Sequence, residues 1–521
     1  MNLKNKALLL LFMCFSVISF IFKTAAAALE RYDLIIRGAT IVDGTGGKSF
    51  RGDIAITGER IAGIGRIRGK AETVIDASGL VASPGFIDPH SHADASILKY
   101  PLAENLVMQG ITTFVGGNCG LSLAPRTDKF FVWQDFGIKE SDAGFTLDWE
   151  SFGEYLSTLE ETRSALNFVP LIGHGAVRYC VMGNDFRRTA NADETAAMER
   201  LVGEAMRSGA FGLSTGLDYL PGHFANTEEI VALARIVRQF GGIYVTHARF
   251  NNSDWPTDDP EKVSYGRYLG TPENIWIGLY KGVAEAIEIG KIAGIPVQIS
   301  HIANIFRIPQ PHPEFLDKSA AEATLWVLDE AHKEGVDVTF DVIATADSIA
   351  SQSKLIDAFY SKRVQGLHWV QDFNREEFIR RLKTEEFRKR LRRVHESGQL
   401  KLGMVHTLVD PYWHNCFRII SCADKQCEGK ILGDIAGERG RDPLETLFDI
   451  LTEDPETTWV QFLDRRGTDI MNAVFLKHPA AMPCTDTEAL PAKSEPGRSP
   501  APVAFGLYPH YFGHYIRDMS L

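Results

Sequence analysis

From Tyr32 to Ile75 apolar and polar positions alternate in short blocks: Asp33-Leu-Ile-Ile36, Thr40-Ile-Val42, Asp53-Ile-Ala-Ile56, Arg60-Ile-Ala-Gly-Ile64 and Thr73-Val-Ile-Asp76, with glycines between them. A period of two with glycine punctuation predicts strands joined by tight turns, here a small antiparallel unit. Val42-Asp43-Gly44-Thr45-Gly46-Gly47 has the glycines of a phosphate loop, but no helical pattern follows it, so a turn is expected.

Beyond Leu80 the rhythm changes to apolar runs separated by amphipathic stretches, the pattern of a parallel sheet with crossover helices. Strands are expected at 80–88, 112–118, 167–174, 210–215, 243–247, 297–301, 337–342 and 482–486, and helices at 193–208, 226–240, 278–293 and 318–334. Strands of this number, alternating with helices, predict an α/β fold of the (β/α)8 barrel type. The interval 348–478 is too long for a single connection and carries the charged stretch Arg375 to Glu396, so an inserted helical subdomain is expected there, with the basic run as a solvated face. Residues 491–504, rich in Pro, Ser and Ala, predict a loop over the barrel mouth.

A chain of 521 residues with 45% hydrophobic content is long enough for a large domain plus a smaller one. The net charge of -12 speaks against a nucleic-acid surface and for a small-molecule ligand. Lys4 and Lys6 precede the apolar run Ala7 to Phe22, and small residues follow from Thr24 to Ala28. Residues 1–28 therefore read as a signal peptide, which implies export to a periplasmic or extracellular compartment and no stable membrane insertion after its removal. The expected domains are then 29–79 for the N-terminal strands and 80–521 for the barrel, including the insertion. Cys119, Cys180, Cys416, Cys422, Cys427 and Cys484 would meet an oxidising environment, but they are too sparse for a disulfide scaffold and are read as structural or free.

The chemistry gathers at the carboxyl ends of the expected strands. His90 and His92 follow the first, Cys119 the second, His247 ends the fifth, His301 the sixth and Asp486 the eighth. In a parallel eight-stranded barrel these ends share one mouth. Singly, each residue has a plain structural reading as a packed histidine, a buried thiol or a helix cap. Together they point to a borderline-soft divalent cation such as zinc.

Several motifs carry a resemblance. Pro84-Gly-Phe-Ile-Asp-Pro-His-Ser-His-Ala-Asp94, Gly110-Ile-Thr-Thr113, Asn118-Cys-Gly-Leu-Ser-Leu-Ala-Pro125, Gly212-Leu-Ser-Thr-Gly-Leu217, Thr246-His-Ala-Arg249 and Gln298-Ile-Ser-His301 resemble N-acyl-D-amino-acid deacylases of the amidohydrolase superfamily. The resemblance implies a metal-dependent barrel with a small side β-domain that hydrolyses the amide bond of an N-acyl-D-amino acid. It implies that His247 and His301 hold one tightly bound zinc, that His90 and His92 form a second, weaker position, that Cys119 bridges the two, and that Asp486 serves as both ligand and general base. A cyclic-amide or dipeptide hydrolase of the same superfamily is the alternative, although such enzymes usually bridge their metals with a carboxylated lysine rather than a thiolate. A barrel that retains binding but has lost catalysis is another.

An acylated amino acid also presents a carboxylate, and Arg249, Arg178 and Arg498 are the candidate partners. Other substrate-side positions depart from the family pattern. Ala303 stands where a lysine is usual, Ile343-Ala344 where Tyr-Pro is usual, and Ala501-Pro502-Val503 where His-Pro-Arg is usual. The family pattern also continues past the position of Leu521, so the strands within 33–76 are expected to lack partners and leave open edges.

Overall fold

The computed structural model describes residues 30–126, 147–218, 221–249, 272–302, 313–345, 353–359, 367, 369–370, 373–396, 400–402, 405–406, 413–461, 465–493 and 501–521. The expected signal segment 1–28, Arg498 and Ala303 lie outside the described residues. Among the described residues no helix is long and apolar enough to cross a membrane. The chain forms two compact units that divide after Gly85.

The first unit is a sheet of β1 (Arg31–Ile41), β2 (Phe50–Thr57), β3 (Arg60–Gly65), β4 (Lys70–Asp76) and β5 (Val81–Ala82). Its order is β3-β2-β1-β4, with β5 also on β1. The sheet is mixed rather than antiparallel: β2 runs against β1, but β4 and β5 run with it. After the β2–β3 hairpin the chain crosses to the far side of β1 and enters there in β1's own direction. The strands pair with one another, leaving β3 and β4 as the edges around a small core of Ala39, Ile41 and Ala77.

The run 80–88 is not one strand. Pro84 and Gly85 interrupt it, so Val81–Ala82 joins the first sheet and Phe86–Asp88 (β6) opens the second unit. There β6, β7 (Ile111–Gly116), β8 (Asn167–Gly173), β9 (Gly212–Gly216), β10 (Ile243–His247), β11 (Val297–Ile299) and β12 (Val338–Ile343) lie side by side, each parallel to the next.

An insertion follows β12. Its short strands are β13 (Ser353–Lys354), β14 (Lys401–Leu402), β15 (Val405–His406), β16 (Phe417–Ser421) and β17 (Thr458–Gln461). They pack with helices around a separate apolar core that includes Phe359, Phe378, Leu391, Phe417, Phe448 and Trp459. The stretch Arg375 to Glu396 forms two helices, Arg375–Leu382 and Glu385–Glu396, because the Thr384 hydroxyl accepts the amide of Phe387 at 3.4 Å and starts a new helix. Its basic run is not wholly a solvated face either. Arg388 pairs with Glu445 and Asp449 on the neighbouring helix Pro443–Glu453, and Arg392 with Glu445 and with Asp442, which caps that helix. The helix Arg465–Leu476, inside the interval 348–478, places Met471 and Phe475 in the barrel core, so the insertion ends before it.

The last strand, β18 (Ala481–Cys484), runs parallel to β12. The seam between β18 and β6 is joined just beyond the strands: Thr485 N–H donates to Asp88 Oδ1 at 3.0 Å, Asp486 N–H to the His90 carbonyl at 2.8 Å, and His92 N–H to the Thr487 carbonyl at 2.8 Å. These bonds complete an eight-stranded (β/α)8 barrel whose ladder has a nearly closed circuit. Leu213, Tyr244, Val297, Phe340 and Val342 from the strands pack with Val202, Ile230, Val237, Ile289 and Leu328 from the surrounding helices. Two of those helices start at asparagine caps. Asn191 caps Ala192–Ser208 in a reciprocal box with Glu194, and Asn226 caps Thr227–Gln239.

Candidate metal centre

Five of the barrel strands deliver candidate ligands at or just past their carboxyl ends, and the backbone at three of those residues is left-handed. His90 and His92 sit on the turn leaving β6, with ring centroids 5.4 Å apart. Cys119 follows β7 in a left-handed conformation, φ 57°. Its loop squeezes between neighbours that only glycine admits. A Cβ at Gly117 would lie 2.2 Å from the Leu171 carbonyl oxygen, and one at Gly120 would lie 2.8 Å from the Gly216 nitrogen. His301, just past β11, and Asp486, just past β18, are also left-handed, with φ 35° and 51°. Non-glycine residues in that region cost energy and cluster where a site demands them.

The side chains converge. Cys119 Sγ lies 3.3 Å from His90 Nε2, 3.6 Å from His301 Nε2 and 3.8 Å from His247 Nδ1, and the last two nitrogens are 3.0 Å apart. Asp486 Oδ1 lies 3.4 Å from His90 Nε2 and 3.2 Å from His92 Nε2. Donor atoms of His90, Cys119 and His301 fall within 4.8 Å of one another, as do those of His90, His92 and Asp486, so two overlapping triads share His90. All six metal-ligand candidates read from the sequence therefore meet at one opening.

The electrostatics describe a pocket shaped for positive charge. Burial disfavours an ionised Cys119, yet His90, with hydrogen bonds from His247 and His301, holds its thiol well below the ordinary range. Burial likewise opposes ionisation of Asp486, but His90 and His92 hold its carboxyl below the usual value. Burial would neutralise His247, but Asp218 and Cys119 raise it. A thiolate, a carboxylate and a ring of imidazoles at one largely buried opening form a donor set that fits zinc.

The substrate arginines are placed differently from expectation. Arg178 is fully buried, its guanidinium paired with the Glu229 carboxylate and directed to the carbonyls of Phe186 and Arg188. Arg249 is buried on Glu285 at 3.1 Å, and it donates to the carbonyls of His223 at 2.8 Å and Ala225 at 2.7 Å. Both forks serve the interior. A buried guanidinium needs its own carboxylate, and Glu229 and Glu285 fill that role. Arg498, the third candidate, lies outside the described residues.

Three carboxylates at the site were not singled out as site residues from the sequence. Asp218 lies 3.9 Å from His247 Nε2. Asp88 accepts from Thr485 at the barrel seam, and burial pushes its carboxyl up to about 7. Asp341 is buried within β12 beside His90 and His301. The available signal was a lone acid inside the otherwise apolar run Val338-Thr-Phe-Asp-Val-Ile343.

Comparison with known proteins agrees with this geometry. Residues 73–256 match the amidohydrolase family. A D-aminoacylase of Alcaligenes xylosoxydans xylosoxydans is 41% identical over 221 residues, 42% of this chain and 45% of that protein. A crystal structure of D-aminoacylase, described as defining a novel subset of amidohydrolases, superposes with a TM-score of 0.63 at 26% identity, covering 94% of this chain and 82% of that one. The chain is thus similar to D-aminoacylases of the amidohydrolase family in part of its sequence and in its fold. Its aligned stretch spans less than half the length of the curated relative. A second solved structure, the N-acyl-D-glutamate deacylase of Bordetella bronchiseptica, superposes with a TM-score of 0.63 at 25% identity, over 94% of this chain and 82% of that one. It was solved with zinc and a phosphonate inhibitor that mimics the reaction's tetrahedral intermediate.

Proposed function

We propose that the protein is a zinc-dependent hydrolase of N-acyl-D-amino acids, splitting the amide with water into a carboxylate and a free D-amino acid. One observation carries this reading: Cys119 Sγ lies within 3.3–3.8 Å of imidazole nitrogens from three different strand ends. A thiolate ringed by imidazoles is a zinc donor set rather than a magnesium or calcium one. Zinc held there supplies Lewis acidity toward an amide carbonyl and acidifies water to a pKa near about 7. Cys119, His247 and His301 would hold the tighter ion, and His90 and His92 with Asp486 a weaker one.

Asp486 handles the proton. Its carboxylate stays ionised beside His90 and His92, so it accepts a proton from the attacking water. It then returns that proton to the amide nitrogen as the C–N bond breaks, giving base and acid roles to one group. With Arg178 and Arg249 committed to Glu229 and Glu285, Arg498 is the remaining one of the three candidate arginines for the substrate carboxylate. Export to a periplasmic or extracellular compartment, on the strength of the segment 1–28, belongs to the same proposal.

Metal analysis of the purified full chain, followed by a panel of N-acyl-D- and N-acyl-L-amino acids, tests it. The expected result is zinc in the protein, preferential turnover of D substrates, and loss of activity on chelation with recovery on zinc addition. A zinc-loaded protein that cleaves no acyl amino acid would overturn the catalytic reading.

A further inference from the structure

Asp341 stands in the middle of β12, fully buried, and collects polar groups from three other strand ends. Its Oδ1 accepts the backbone N–H of His301 at 2.7 Å, lies 3.6 Å from His90 Nδ1, and is reached by the Cys484 thiol at 3.1 Å. Its Oδ2 accepts from Gln298 Nε2 at 2.7 Å. A carboxylate in the interior is costly unless donors surround it, and here the donors belong to the elements that carry the site.

We infer that Asp341 is a positioning residue of the metal centre, fixing His90 and His301 so that both rings present Nε2 to a single point beside Cys119. The inference rests on the zinc reading above. At His90 the carboxylate lies 3.6 Å from Nδ1, an electrostatic rather than a hydrogen-bonding separation, and its charge favours the tautomer protonated there, with Nε2 on the side of Cys119 and Asp486. At His301 it works through the main chain, where the bond to Oδ1 anchors a residue held at φ 35°. Through Cys484 it touches the strand end that carries Asp486 two residues later. One side chain thereby ties the first, sixth and eighth strand ends to the seventh.

The test compares zinc affinity, by competition with a chromophoric chelator, in the full-length wild type, Asp341→Asn and Gln298→Met, together with the visible spectrum of each protein loaded with cobalt(II). Asparagine keeps the shape and an acceptor for His301 but removes the charge facing His90, so zinc should bind roughly 10- to 100-fold more weakly. The cobalt bands should change shape, because the ligand rings are no longer held alike. Gln298→Met leaves the carboxylate but removes the donor to Oδ2, one step further from the ligands, so a weakening of about threefold is expected, below the roughly 10- to 100-fold range for a direct outer partner of a ligand. If Asp341→Asn does not fold, Gln298→Met decides, and unchanged zinc affinity in it overturns the assignment. A fall in melting temperature with unaltered affinity and an unaltered cobalt spectrum also overturns it, since that is the signature of a purely structural acid. If the wild type itself holds no zinc, the metal reading fails and this inference with it. If the wild type holds zinc and both variants match it, only the role of Asp341 fails.

Discussion

The amide of Asp486 donates to the carbonyl of His90 at 2.8 Å, joining residues from opposite ends of the barrel sequence. The same two residues face each other through their side chains at 3.4 Å. The bond that helps close the barrel therefore also brings the proposed proton carrier up to the proposed metal ligands. The site and the barrel seam share this contact.

Cys119 is central to the donor set, so its replacement tests the metal centre most directly. Cys119→Ala should lose most bound zinc, and activity should fall by more than the roughly 100-fold typical of removing a ligand's outer partner. Full zinc content by elemental analysis, with undiminished turnover, would refute the ligand role.

Asp486→Asn separates proton handling from metal binding. Cys119, His247 and His301 are untouched, so the tighter zinc should remain, while kcat falls about 10²- to 10⁴-fold, the range for losing a positioned acid–base. Steady-state kinetics beside a zinc assay checks this, and a variant within tenfold of wild-type kcat would assign proton transfer elsewhere.

Arg178 is placed to affect stability rather than substrate affinity. Arg178→Met would leave Glu229 buried without its main cation, at a cost of about 3–5 kcal/mol. Adding Glu229→Leu should return much of that loss. Denaturant unfolding of the wild type and the two variants measures it, and a raised KM without loss of stability would restore Arg178 as a substrate contact.

His223 gives the fold a dependence on acidity. Burial, with Arg249 nearby, pushes its imidazole down to about 4, against an ordinary value near 6.5. The unfolded chain therefore takes up a proton below about pH 6.5 that the folded chain refuses until about pH 4. This contribution to stability is complete above pH 6.5 and is lost as pH falls toward 4. By linkage it amounts to roughly 3 kcal/mol. His223→Phe should show a shallower drop in melting temperature than the wild type between pH 6.5 and 4.5, and parallel curves would show that the ring titrates normally.

Much of the barrel and its mouth was legible in the chain because both follow from one-dimensional rules. Period-two runs predict strands, amphipathic stretches predict helices, and a parallel barrel sends every strand end to one side. His90, His92, Cys119, His247, His301 and Asp486 could be grouped without knowing any contact. Partnership across the fold was harder to read. Arg178 looks like a carboxylate receptor until Glu229 is seen against it, and nothing local joins the two. Asp341 looks like one acid in an apolar strand until His301 and His90 are seen against it. The direction of β4 escaped for a related reason. Alternation predicts a strand but not the side of β1 on which the chain returns.

The left-handed backbone at Cys119, His301 and Asp486 bears on how this protein can be altered. Anyone seeking a hardier variant would be drawn to glycine or asparagine at these three positions, since each would relax a cramped main chain. Every such relief would remove a group on which the chemistry depends. Durability and turnover thus pull against each other at these positions.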